Sequence, residues 1–206
     1  MKTKKRIRIA GVILLVLLVS MAAVHFMLQN TVFGFSREVS EEEEKAQRLK
    51  VVETAQNWLG ASELSGDHKP IIDIYNAHEP LAVGYEMQYD DAWCATFGSA
   101  VAIECGLTDI IPTECGCQRQ IALFEALGCW VEDDEYIPLP GDYIFYSSKD
   151  AIGDNTGWSD HVGIVVGTWG NYIKVIEGNY ANAVAYRILP IGDSYIRGFG
   201  VPNYGA

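Results

Sequence analysis

Positive charge is what this sequence has least of. Fifteen Lys and Arg stand against 27 Asp and Glu in 206 residues, a net charge of −12. Five of the basic residues (Lys2, Lys4, Lys5, Arg6 and Arg8) lie in the first 28 positions, where there is no acid, so the remainder carries 10 basic against 27 acidic residues, a net −17. Nucleic-acid binding depends on neutralising phosphates, and a chain this acidic excludes it. The same charge excludes docking on anionic lipid or wall polymers by charge, so a substrate has to be held by a local cleft. Internal repeats are missing, and low-complexity sequence is confined to Glu41–Glu44, which excludes a repeat architecture. Metal-ligand spacing is missing too. Cys115-Gly116-Cys117 leaves one residue between its cysteines and no histidine follows at a suitable distance, so no metal site is read there. Histidine is scarce, with only His25, His68, His78 and His161 available as a base.

What is present begins with a hydrophobic run. Ile9–Leu28 is interrupted only by Ser20 and His25 and follows the basic cluster directly. About 20 apolar residues is the length a helix needs to cross the hydrocarbon layer. No amphipathic face runs along it, which argues against a buried core helix. An uncleaved signal anchor and a cleaved signal peptide both fit residues 1–28, with Ser20-Met21-Ala22 as a cleavage site in the second case. In either case the flanking positive charge keeps the N-terminus in the cytoplasm and sends the rest outside. The expected location is a single-pass cell-membrane protein with its domain outside, held to the membrane by the N-terminal helix, or a secreted protein if the segment is cleaved.

The remaining chain, roughly 165–180 residues, suffices for one well-buried domain. Its five cysteines are Cys94, Cys105, Cys115, Cys117 and Cys129. Outside the cell an even set can pair as disulfides, and an odd one left over points to a functional thiol. Four structural cysteines and a free Cys94 fit that arithmetic without being required by it.

Residues 29–45 read as a stalk and the start of a first helix. Ser40 and Glu43 can form a capping box, and the acidic first turn complements the helix dipole. Leu49, Val52, Ala55 and Leu59 then recur at helical spacing up to Gly60. Residues 61–91 read as loop, broken by Gly66, Pro70, Pro80 and Gly84. Asp91 can cap a second helix from Ala92 to Cys105, with Phe97, Val101 and Cys105 on one stripe. A third helix fits Gln118–Leu127. Beyond Pro140-Gly141 the period changes, and Tyr143–Tyr146, His161–Thr168, Tyr172–Glu177 and Val184–Ile188 read as strands. Helices first and an antiparallel sheet afterwards predict an α+β domain.

Two residues in this layout suit nucleophilic catalysis. Cys94 falls near the start of a helix, where amide groups and the dipole favour the reactive thiolate. A buried cysteine is often only a small hydrophobe, so position alone is a weak signal. His161 opens a strand, on rigid structure where its aim can be controlled. A thiol nucleophile needs such a base within reach, and the base needs a third group to orient it. Glu177 and Asn179 end the next strand. Opposite residues of an antiparallel hairpin share a face. A three-residue turn pairing Thr168 with Tyr172 makes paired numbers sum to 340, which puts His161 opposite Asn179 and Glu177 diagonally beside it. A two-residue turn at Gly170-Asn171 makes the sum 341 and turns both away. A catalytic His161 therefore requires the longer turn, or a bulge that restores the parity.

Three segments then occur in order: Trp93-Cys94-Ala95-Thr96-Phe97, Asp160-His161-Val162-Gly163-Ile164-Val165 and Ile176-Glu177-Gly178-Asn179. With Ala55-Gln56, Leu59-Gly60, Pro140-Gly141-Asp142-Tyr143-Ile144-Phe145-Tyr146 and Ile196-Arg197-Gly198-Phe199-Gly200, they make residues 46–204 resemble the CHAP family, the cysteine- and histidine-dependent amidohydrolases and peptidases. The resemblance implies a papain-like α+β fold over 46–206, N-terminal helices packed on an antiparallel sheet, and hydrolysis of amide bonds in peptidoglycan without an obligatory cofactor. It implies Cys94 as nucleophile, His161 as base, and Glu177 with Asn179 as orienting partners. The Cys94 backbone N–H would help hold the oxyanion, and Gln88, six residues earlier, would donate a second bond as the equivalent glutamine does in papain-like enzymes. Asp90 and Asp91 could instead join a calcium site, as in some members, though two acids do not make one. One departure is Gly98, where many such helices carry valine; it lowers helix propensity by about 1 kcal/mol. The expected function is an exported cell-wall hydrolase, amidase or endopeptidase. An exported cysteine peptidase on other substrates and a catalytically silent wall-associated scaffold are the alternatives.

Overall fold

The computed structural model describes residues 20, 21, 23–25, 27, 40–147 and 157–205. The chain falls into two compact units, and the larger, Glu44–Tyr204, contains everything discussed below. In the other unit, residues 20, 21, 23–25 and 27 are helical and exposed. The Ile9–Leu28 run otherwise lies outside the described residues, as does the stalk up to residue 39. Among the described residues no helix is long and apolar enough to cross a membrane.

The larger unit is α+β, as its sequence predicts. Its helices are α1 (residues 44–57, with 40–43 helical before them), α2 (Lys69–Asn76), α3 (Cys94–Cys105) and α4 (Cys117–Ala126). A single 3-10 turn, Ala82–Gly84, lies between α2 and α3. Six strands form one antiparallel sheet: β1 (Trp130–Val131), β2 (Tyr143–Tyr146), β3 (His161–Trp169), β4 (Tyr172–Tyr180), β5 (Ala183–Pro190) and β6 (Ile196–Gly200), in the order β1-β6-β2-β3-β4-β5.

α2 corrects the loop reading of residues 61–91. Pro70 there is not a breaker: it sits in the first helical turn, where its missing N–H removes nothing. Ile71, Ile72 and Tyr75 are buried against the core. α3 is the central helix. Ten of its twelve residues are buried, as expected of a helix that is apolar all round. Burial of Phe97 and Val101 stabilises by about 1.5–3 kcal/mol each. Gly98 permits the closest contact of α3 with the sheet. A Cβ there would stand 2.8 Å from Tyr143 Cε1, and the Tyr143 hydroxyl donates to Gly98 O at 2.8 Å. The departure at this position is therefore a packing device.

The helix start also differs from expectation. α3 begins at Cys94 with Trp93 as N-cap and no side-chain cap. The Asp91 carboxylate instead accepts from the Gln88 N–H (2.8 Å) and the Tyr85 hydroxyl (2.9 Å), closing the loop before the helix.

Core packing covers both faces of the sheet. Tyr143, Phe145, Val162, Ile164 and Ile176 pack with the helices, while Ile144, Tyr146, Val165, Val175 and Phe199 form a second cluster. The alternation along β2 and β3 is that of strands buried on both sides.

Candidate active site

The hairpin of β3 and β4 decides whether His161 has partners. Its turn is the two-residue one, with Trp169 opposite Tyr172 and Thr168 opposite Ile173. Gly170 takes φ 55°, which such a turn needs at its first position. Left alone, that register would turn Glu177 away from His161. A bulge intervenes between Val165 and Gly167, after which Val165 faces Val175 and Ile164 faces Ile176. One extra residue in β3 restores the parity, as bulges beside functional sites do. Gly163 then lies across from Glu177. A Cβ on Gly163 would meet Val175 Cγ1 at 2.5 Å and Glu177 Cγ at 2.6 Å, so its absence makes the space the glutamate crosses.

Glu177 uses that space to reach His161, with Nε2 and Oε2 3.0 Å apart. The carboxylate is fully buried. It is also paired with Arg187, whose Nε donates to Oε2 at 3.1 Å and lies 2.9 Å from Oε1. The Arg187 guanidinium rests over the rings of Tyr146 and Tyr180, at 4.9 and 4.4 Å, and the Tyr146 ring stacks on His161. The strand start is held from α4, since Gln118 Oε1 accepts the Ser159 N–H at 2.9 Å.

Cys94 is the first residue of α3 and is 6% exposed. Its Sγ lies 3.5 Å from Sγ of Cys117, the first residue of α4. The thiol is held well below its ordinary range. The hydrogen bond from Cys117 contributes most, burial opposes, and the His161 ring adds a hydrogen bond and a charge, with the Ala95 N–H behind them. The Cys117 thiol is pushed up by the same contact, so Cys117 keeps the proton and Cys94 carries the charge. Burial would lower His161, but hydrogen bonds to Cys94 and Glu177 and their charges raise it to about 9. Because Nε2 is taken by Glu177, Nδ1 is the nitrogen left for the sulfur. The state this favours is a thiolate beside an imidazolium.

Asn179 lies close by but does something else. It takes φ 57°, a left-handed conformation asparagine tolerates, at an irregularity in the pairing of β4 with β5. With both amide ends matched, its nitrogen donates to Glu63 Oε1 and its oxygen accepts from the Trp93 backbone N–H, each at 3.2 Å. Trp93 Nε1 donates to the same Glu63 oxygen at 3.1 Å. Gly178 leaves no room for a Cβ against Phe97 and Trp93. Asn179 thus fixes the tip of α3, and Glu177 fixes the imidazole.

Gln88 is exposed, and its amide donates to Glu86 O at 2.9 Å. In this arrangement it is not aimed at Cys94. All five cysteines are free. Among the described residues no three His, Cys, Asp or Glu side chains are grouped to hold a metal ion. A cleft of about 420 Å³ opens beside the imidazole, lined by Tyr146, Asp160, His161, Asn179, Tyr180, Arg187 and Tyr195.

The sequence reading left out Cys117, Arg187 and Glu63. Arg187 had a usable signal, because on β5 it sits opposite Val175 and shares the face of Glu177. Cys117 and Glu63 had none, since only tertiary packing brings them to the tip of α3.

No protein-family model matches the chain. No curated protein matches it either. Among solved structures, the crystal structure of Ly7917 aligns at 11% identity with a TM-score of 0.39, over 75% of this chain and 62% of that one. The chain thus spans less than two thirds of that protein's length.

Proposed function

We propose that the chain is a cysteine-dependent amide hydrolase of the CHAP kind, papain-like in architecture, acting outside the membrane on peptidoglycan as an amidase or endopeptidase. One observation carries the chemistry: His161 Nε2 lies 3.0 Å from Glu177 Oε2, and hydrogen bonding and charge link the same ring to the Cys94 thiol, raising the ring and lowering the thiol. The wall as substrate is supported by the ordered motifs around these residues.

In this reading the Cys94 thiolate attacks the amide carbonyl. The Cys94 backbone N–H, free at the first turn of α3, helps hold the oxyanion. His161 gives its proton to the departing amine as the C–N bond breaks, leaving a thioester on Cys94. The neutral ring then takes a proton from water, whose oxygen attacks the thioester, and the carboxylate product leaves. Glu177 keeps the ring aligned through both steps, and Arg187 holds the Glu177 carboxylate in place.

A zymogram against purified cell walls tests the proposal, with mass spectrometry of the released fragments identifying the bond. Clearing by the wild-type chain is expected. Intact walls together with a Cys94 that reacts readily with iodoacetamide would move the assignment to a peptidase of other substrates. An inert Cys94 would leave a silent scaffold.

A further inference from the structure

Two helices each place a cysteine at their first position, Cys94 on α3 and Cys117 on α4, and the two sulfurs lie 3.5 Å apart. Among the described residues this is a hydrogen bond between two sulfurs, and both are free thiols. The amide hydrolysis proposed above needs a nucleophile and a base and has no use for a second thiol. The helix tips are held in register independently of that pair. Asn179 and Glu63 fix the start of α3, and the side chain of Gln118, next to Cys117, is tied to Ser159.

We propose that Cys94 and Cys117 form a reversible redox pair, in which reaction with a small disulfide closes a Cys94–Cys117 bond and blocks the thiol at position 94. The Cys94 thiolate attacks one sulfur of the small disulfide, forming a mixed disulfide and expelling one thiolate. Cys117 then loses its proton to that released thiolate and attacks the Cys94 sulfur, expelling the second thiolate, which is protonated by solvent. Two protein thiols are oxidised and one external disulfide is reduced to two thiols. A disulfide needs S–S of about 2.05 Å, so the sulfurs must approach by about 1.5 Å, a shift within reach of side-chain rotation at the two helix tips.

Charge favours the order of events. Cys94 is the lower-pKa thiol and attacks first, since the thiolate is the nucleophile. The hydrogen bond and charge of Cys94 are two of the three largest causes holding Cys117 protonated, with burial between them. Both disappear once Cys94 is in a mixed disulfide. Cys94 and Cys117 are only 6% and 7% exposed. The opening that admits an amide carbonyl to Cys94 admits a small disulfide as well, and this part of the inference rests on the hydrolase reading.

The test uses the full chain, reduced, freed of reductant and exposed to oxidised glutathione. Peptide mapping is expected to find Cys94 joined to Cys117. Alkylation of Cys94 by iodoacetamide should be lost and then recovered with dithiothreitol. In Cys117→Ser the reaction should stop one step earlier, with glutathione retained on Cys94. Cys94→Ser should give no cross-link, which keeps the test decisive if Cys117→Ser folds poorly. A wild-type Cys94 that stays free, stays glutathionylated or joins another cysteine overturns the pair. Wall digestion measured in parallel separates the two proposals. Cross-linking without digestion leaves the redox pair and removes the wall as substrate, and digestion without cross-linking leaves the wall hydrolase and removes the redox pair.

Discussion

The two ends of α3 carry the same residue in different chemical states. Cys94 and Cys105 are both buried, 6% and 3% exposed, on one rigid helix. At the N-terminal end the thiol meets the Cys117 hydrogen bond, the His161 ring and the Ala95 N–H, and is held well below its ordinary range. At the C-terminal end burial pushes the Cys105 thiol up, with Thr54 and Lys50 only partly opposing. Cys105 donates to Thr54 Oγ1 at 3.3 Å, and Lys50 Nζ donates to the Cys105 carbonyl at 2.8 Å, meeting the carbonyl end of the dipole with a cation. Burial is common to both cysteines and so does not decide between them. The polarity of the helix end and the partners gathered there do.

The comparison breaks most visibly by removing each sulfur in turn. Cys94→Ala is expected to lower wall hydrolysis by about 10⁴-fold or more, the scale seen when a covalent nucleophile is deleted. Cys105→Ala should change the rate by less than about threefold while lowering stability by about 1 kcal/mol. Parallel turnover and thermal unfolding measurements check both. Equal losses of rate would show that the two ends do not differ in function.

Glu177→Gln tests the same contrast one step back from the sulfur. The amide oxygen can still accept from His161, but the charge that raises the ring is gone and the amide nitrogen faces Arg187. Turnover is expected to fall by about 10³-fold, somewhat less than the roughly 10⁴-fold effect of neutralising the buried carboxylate of a catalytic triad. The limb of the pH profile that falls near pH 9 should shift downward, because Glu177 raises His161 through both its hydrogen bond and its charge. A rate loss with an unmoved limb would make Glu177 a structural residue.

Much of this pair of ends was legible in the sequence, and the shortfalls have physical causes. Cys94 at a helix start and His161 at a strand start follow from local pattern, as do β2 and most of β3 and β4. α2 was missed because Pro70 reads as a breaker unless the helix is known to start beside it. β1 is two residues long, too short for any period to register. Parity was the finest point. The sequence allowed a three-residue turn or a bulge, and the Val166 bulge is what occurs. Asn179 shows the limit, because its left-handed backbone and its contact with Trp93 arise from packing that no strand period encodes.

Alkylation separates the two ends by a smaller factor. At pH 6 an ordinary thiol is almost wholly protonated, whereas the Cys94 thiol is held well below the ordinary range by the Cys117 hydrogen bond and the His161 ring. Iodoacetamide should label Cys94 at least about tenfold faster than Cys105, a ratio limited by the weaker nucleophilicity of a low-pKa sulfur. The sign of the pH dependence differs between reactions. His161 is raised above its free value of about 6.5 to about 9, so the ring is charged through neutrality and loses its proton only as pH passes about 9. Hydrolysis needs that proton for the leaving amine and should decline there, while alkylation needs only the thiolate and should not. Quenched labelling followed by peptide mass spectrometry measures both. A decline in alkylation near pH 9 would mean that the imidazolium is needed for the thiolate itself.

The smallest effect is expected at Gln88. A second oxyanion donor would have to point at the space beside the Cys94 N–H, and losing one such donor typically lowers turnover by about 10²–10³-fold. The Gln88 amide is instead committed to Glu86 O at 2.9 Å, on an exposed loop closed by Asp91. Gln88→Ala should therefore change kcat by less than about threefold, leaving the polarity of the α3 tip and the Cys94 backbone N–H to hold the oxyanion. A loss of a hundredfold would show that substrate draws Gln88 away from Glu86, and that the N-terminal end of α3 is completed by this loop as well as by its own backbone.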